Sequence, residues 1–123
     1  MKGEMSMDGS FYKVHKEKDV TILTLTLGNI TMQETEGLKR GFSALLKEGS
    51  KNIVLDFSGT TFISSVVLAS LVFMLKQTKE AGGDLVICGA KGRVKDVIVM
   101  TNLHKVFNLF NDTQEAKSHF SKK

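Results

Sequence analysis

Asn52-Ile53-Val54-Leu55-Asp56-Phe57-Ser58-Gly59, followed closely by Phe62-Ile63-Ser64-Ser65-Val66-Val67-Leu68-Ala69-Ser70-Leu71-Val72-Phe73-Met74-Leu75, is the stretch on which the fold turns. Its first part is short with a continuous apolar centre, the pattern of a strand covered on both faces by helices. Its second part is ambiguous by periodicity alone. Its length, and its continuation through Lys76 and Ala81 to Gly82-Gly83, predict a helix stopped by glycine, with Ser64 or Ser65 as the amino-terminal cap. A central strand leading into an apolar helix is the repeating unit of α/β layer structures.

Upstream, Leu38, Phe42, Leu45 and Leu46 recur at helical spacing and predict an amphipathic helix that ends near Gly49. Before it, Phe11 to Lys16 alternates as a half-exposed strand. Lys18-Asp19 reads as a turn, and Val20 to Leu27 as a second strand with Leu23, Leu25 and Leu27 on one face, ended by Gly28-Asn29. Downstream, Asp84-Leu85-Val86-Ile87-Cys88 predicts another apolar strand, and Val94, Val97 and Ile98 mark a helix from about Gly92 to Thr101. Phe107-Asn108-Leu109-Phe110 predicts a last strand, and Asp112 caps a terminal helix through Ser118. The order ββαβαβαβα implies an α/β fold: a mixed, mostly parallel sheet with an early antiparallel hairpin and about four helices. One domain over 10–118 is expected, after a disordered polar start at 1–9 and before a charged tail at 119–123 that frays with Lys122-Lys123.

Composition narrows the function. A chain of 123 residues with 41% hydrophobic residues can hold a core without disulfides or a structural metal. Its single cysteine, Cys88, excludes a disulfide scaffold and agrees with a reducing compartment. The amino terminus, Met1 to Gly9, offers no apolar stretch of signal-peptide length, and the apolar run Val66 to Leu75 is interrupted by Ser70 and too short to span a bilayer, so a cytoplasmic location without membrane insertion is expected. The formal charge of +4 is interleaved, as in Lys16-Glu17-Lys18-Asp19, and Tyr12 is the sole Tyr or Trp. A mixed solvated surface accounts for this better than a nucleic-acid interface.

Candidate chemical sites are few. Gly89-Ala90-Lys91-Gly92-Arg93 matches neither phosphate-loop pattern and reads as a strand-to-helix turn. His15, His104 and His119 are scattered, and Cys88 has no partner at metal-ligand spacing, so no metal is expected. Asp56 stands at the carboxyl end of a central strand, where α/β sheets place their ligands. A phosphoacceptor role would need further carboxylates at the end of an earlier strand, and Leu25-Thr26-Leu27-Gly28-Asn29 supplies none; a turn-stabilising Asp56 near Ser58-Gly59 is the preferred reading. For Ser64 and Ser65 the alternatives are helix capping and phosphorylation, since a phosphate is tolerated at a helix amino terminus while adding about two negative charges. Serine nucleophile catalysis lacks a neighbouring His or acid.

Taken together, Ile53 to Gly59, Phe62-Ile63-Ser64-Ser65, Lys76 to Gly83, and Thr101-Asn102-Leu103-His104-Lys105-Val106-Phe107 resemble a STAS domain of the anti-sigma factor antagonist type, over about Phe11 to Ala116. That resemblance implies a non-enzymatic regulatory module without a cofactor. It implies docking to an anti-sigma factor that is a GHKL-type serine kinase, with the kinase carrying ATP and Mg²⁺, and reversal by a serine phosphatase. The family motif, an aspartate, a phosphorylatable serine, Ser or Thr, then Gly-Leu-Gly, overlays Ser64 to Ala69, so Ser65 takes the phosphorylatable position. Ser64, Val66, Val67 and Ala69 depart from the motif while Ser65 and Leu68 keep it. A second family signature, Gly-Glu-Leu-Asp, is here Gly28-Asn29-Ile30-Thr31. The implied partner surface comprises Asn29, Thr31, Ser64, Ser65, Val66 and Ala69. Two alternatives stay open. One is a divergent STAS scaffold in a signalling or transport assembly, with Ser65 only capping its helix at about 1 kcal/mol. The other is an enzyme or phosphoacceptor centred on Asp56.

Overall fold

The computed structural model of the chain describes residues 4–5 and 11–121. Its strands are β1 Glu4–Met5, β2 Tyr12–Glu17, β3 Val20–Leu25, β4 Asn29–Ile30, β5 Asn52–Asp56, β6 Phe62–Ile63, β7 Asp84–Cys88 and β8 Leu109–Phe110. The helices are α1 Met32–Lys47, α2 Ser65–Glu80, α3 Gly92–Met100 and α4 Thr113–Ser121, with a 3₁₀ turn at Leu103–Lys105. Six strands form one sheet in the order β1-β2-β3-β5-β7-β8. β2 and β3 make the expected antiparallel hairpin, turning at Lys18 with φ +57°, and β3, β5, β7 and β8 are parallel neighbours.

Alternation along the strands divides the interior into two layers. Leu23, Leu25, Ile53, Leu55, Leu85 and Ile87 face α1, α2 and α3 in the larger core. Val20, Ile22, Val54, Val86 and Cys88 face the other way, where Ala116 and Phe120 of α4 cover them. Both sides of the central strands are therefore buried, which is why β5 reads as an unbroken apolar run.

Helix α1 buries Leu38, Phe42 and Leu45, each worth roughly 1.5–3 kcal/mol of removed apolar surface. Gly41 lets it approach the sheet, because a Cβ there would run into the Tyr12 ring. The helix stops as expected: Glu48 is its C-cap, and Gly49 follows at φ +101°, a conformation costly for any residue with a Cβ. Helix α2 buries Val67, Leu68, Leu71, Met74 and Leu75, and Gly82 follows its end at φ +91°.

Several boundaries differ from expectation. Within 1–9, Glu4–Met5 is a strand paired with β2 rather than an irregular start; the remainder of that stretch, and Lys122-Lys123, lie outside the described residues. The domain does not give way to a tail at 119. α4 runs to Ser121, with Phe120 buried and His119 near Asp84 at 3.4 Å, because packing on the second core extends the helix beyond its caps' influence. β3 stops at Leu25, leaving Leu27 37% exposed, and the last strand holds only Leu109–Phe110.

Candidate functional site

Residues 28–31 and 60–64 are brought together above the carboxyl end of β5. The Gly28 carbonyl accepts from the Thr61 amide at 2.7 Å and the Phe62 amide at 3.0 Å, and the Leu27 carbonyl accepts from the Thr60 hydroxyl at 3.1 Å. β4 and β6 pair in parallel register, Asn29 opposite Phe62 and Ile30 opposite Ile63, with Ile30 and Ile63 buried. The Ser64 amide then donates to the Ile30 carbonyl at 3.3 Å. This small sheet sets Thr31, the N-cap of α1, beside Ser64, the N-cap of α2.

The two helix starts are built differently. Thr31 and Glu34 form a reciprocal capping box. The Thr31 hydroxyl accepts from the Gln33 amide at 3.2 Å, and the Glu34 carboxylate accepts from the Thr31 amide at 2.8 Å and its hydroxyl at 2.9 Å. Those donations hold the Glu34 carboxyl below its ordinary range, the Thr31 amide contributing most. At α2, only the backbone of Ser64 caps: its carbonyl accepts from Val67 and Leu68, while its hydroxyl is buried without a hydrogen-bond partner. A Ser64 or Ser65 hydroxyl cap was expected, and neither makes one. Ser65 is the first helical residue, with its side chain in solvent.

Of the six residues singled out, Asn29, Ser65, Val66 and Ala69 are exposed and Thr31 and Ser64 are partly so. Ser65, Val66 and Ala69 lie on the outer face of α2, and the same face continues to Phe73, which is 52% exposed. Val66 is 49% exposed, whereas Val67 is buried, so only one of that pair alters the surface. Phe62 and Phe73 were missed at the sequence level. The signal for Phe73 was present: it follows Ala69 by four positions and Val66 by seven. No carboxylate stands between Ser64 and Lys79 along α2, and the nearby Glu34 is committed to Thr31.

The other candidates fall into structural roles. Asp56 accepts from the Ser58 amide at 2.9 Å and is buried at the end of β5, as a turn-forming aspartate should be. The buried Cys88 thiol is pushed well above its ordinary range, by burial first and by the Asp56 carboxylate second. Lys91 reaches the Ser58 carbonyl at 3.3 Å and ties the turn before α3 to the turn after β5. Among the described residues no three His, Cys, Asp or Glu side chains gather at a common point, and no helix is long and apolar enough to cross a membrane.

Comparison with known proteins addresses this arrangement as a whole. The profile of the STAS domain family matches residues 12–116. The chain belongs to the STAS domain family. This STAS domain is 26% identical over 102 residues to BtrV of Bordetella bronchiseptica, a candidate anti-sigma factor antagonist, covering 83% of this chain and 88% of BtrV. Its fold superimposes on an anti-sigma factor antagonist from Mycobacterium paratuberculosis with a TM-score of 0.80 at 22% identity, covering 94% and 97% of the two chains. It also matches the phosphorylated form of SpoIIAA, a Bacillus cell fate determinant, with a TM-score of 0.70 at 13% identity, covering 89% and 98%. At such identities the structural likenesses establish the STAS fold alone.

Proposed function

We propose that this STAS domain is an anti-sigma factor antagonist acting by partner switching in a bacterial cytoplasm. It docks an anti-sigma factor that is a GHKL-type serine kinase through Asn29, Thr31, Ser64, Ser65, Val66 and Ala69. Phosphorylation of Ser65 releases the complex and a serine phosphatase restores it. The observation that carries this reading is the position of Ser65: an exposed hydroxyl on the first turn of α2, at the head of a face made of Val66, Ala69 and Phe73. The first amides of a helix have no intrahelical partners, so the helix itself tolerates a phosphate there. A partner packed on the apolar face does not, because about two new charges and their hydration would be trapped at its contact. Ser64 is the poorer acceptor, since its hydroxyl is buried.

Ser65→Asp is expected to weaken binding of the kinase by more than about tenfold while leaving thermal unfolding unchanged. An affinity pull-down from source lysate with ATP present, comparing the wild type with Ser65→Asp and followed by calorimetry on the partner, measures this. Equal affinities defeat the phosphoswitch. The same non-kinase partners on both baits would favour a scaffold role in a signalling or transport assembly, a reading motivated by the Val66-Val67 pair that follows Ser65.

A further inference from the structure

Helix α3 and the 3₁₀ turn after it carry a second surface that the Ser65 reading does not use. Val99, Met100 and Val106 are 42%, 80% and 52% exposed, three of the eight large apolar side chains standing in solvent among the described residues. Their backbone is well anchored. The Thr101 hydroxyl donates to the Val97 and Ile98 carbonyls at 2.8 and 3.1 Å, Asn102 takes a left-handed conformation at φ +63°, and the Phe107 amide donates to the Leu103 carbonyl at 2.9 Å. Val94, Ile98 and Phe107 are buried beneath it. The outward side chains thus contribute little to the core, yet they are large, apolar and held on rigid elements.

Charge concentrates on the same stretch. Residues 91–106 carry four cations, Lys91, Arg93, Lys95 and Lys105, against one carboxylate, Asp96, which is +3 of the whole chain's formal +4. Lys95 precedes Val99 by one helical turn and Asp96 precedes Met100 likewise, so charged and apolar groups share one face. Lys105 adjoins Val106 directly. Apolar centres flanked by a net excess of one sign of charge favour partners of the opposite sign and speed their encounter.

We infer that the surface of α3 and its following turn docks an acidic, amphipathic segment of a protein partner, with apolar side chains of that segment on Val99, Met100 and Val106 and its carboxylates toward Arg93, Lys95 and Lys105. An anionic membrane is the less suitable occupant. The patch presents no exposed aromatic side chain to anchor at headgroup depth. The inference is independent of whether Ser65 is modified.

The test uses the isotope-labelled full chain titrated with an amphipathic Glu/Leu helical peptide, its Lys/Leu counterpart, and phosphatidylglycerol vesicles. Amide shifts confined to 93–106 are expected with the acidic peptide, at an affinity at least about tenfold above that of the basic peptide. Binding should be lost in Met100→Glu and in the double variant Lys95→Glu/Lys105→Glu, and kept in Ser65→Asp, with unfolding midpoints confirming that each variant folds. If Met100→Glu is destabilised, Met100→Ser provides the same contrast without an added charge. Equal affinity for the two peptides, shifts centred on α2, loss of binding in Ser65→Asp, or binding to vesicles but not to the peptide would each overturn the inference.

Discussion

At the scale of single residues, the hydroxyls of Ser64 and Ser65 part company because the chain passes from extended to helical between them. Ser64, at ψ 160°, keeps its side chain inward, where the hydroxyl meets no partner; Ser65 begins the helix and points out. A bonded Ser cap is worth about 1 kcal/mol, but a buried hydroxyl without a bond retains its desolvation cost. Ser64→Ala is therefore expected to be neutral or stabilising by up to about 1 kcal/mol in urea unfolding, and a loss of that size would show that the hydroxyl does cap. Ser65→Ala should change stability by no more than about 0.5 kcal/mol, which separates it from the capping role considered for it. Cys88 gives a further check. Burial and Asp56 disfavour its thiolate, so reaction with a disulfide reagent should be negligible in the native protein and become rapid only on unfolding. That Cys88 is buried was legible from its place at the end of an apolar run; which way the Ser64 hydroxyl points was not, because a rotamer depends on neighbours remote in sequence.

At the scale of elements, Thr31 has two duties. It was noted as a surface residue, and it also closes the capping box that starts α1. Thr31→Ala is expected to cost about 1 kcal/mol of stability by denaturant unfolding, independently of any effect on binding. Glu34 in the same box adds a pH dependence. Its folded carboxyl is held below the ordinary value of 4.5, so its stabilising contribution is complete above that pH and is lost as pH falls through the lower folded value. Acid titration of stability should therefore be shallower below about pH 4.5 in Glu34→Gln than in the wild type, and parallel curves would remove Glu34 from the account. The two-residue strands β4 and β6 escaped the sequence reading for a related reason. Asn29–Ile30 and Phe62–Ile63 are too short to show a period, and their pairing joins positions more than thirty residues apart.

At the scale of the whole molecule, among the described residues three helices cover one face of the sheet and α4 alone covers the other, anchored by Phe120, by Lys117 to Glu17 at 3.1 Å, and by His119 near Asp84. Phe120→Ala should cost about 3 kcal/mol in equilibrium unfolding, since little else fills that side, whereas a surface tail residue would cost almost nothing. The sequence by itself determined the α/β class, the hairpin, the apolar faces of α1 and α2 and the glycine stops. Each is a local matter of spacing, turn chemistry or residue type. Only the tertiary structure decided the order of strands, the pairing of β4 with β6, the inward Ser64 and outward Ser65, the extension of α4 past residue 118, and the joining of Val66, Ala69 and Phe73 into one exposed face. Those features depend on register and packing between distant segments, and on which side of a helix the rest of the chain leaves open.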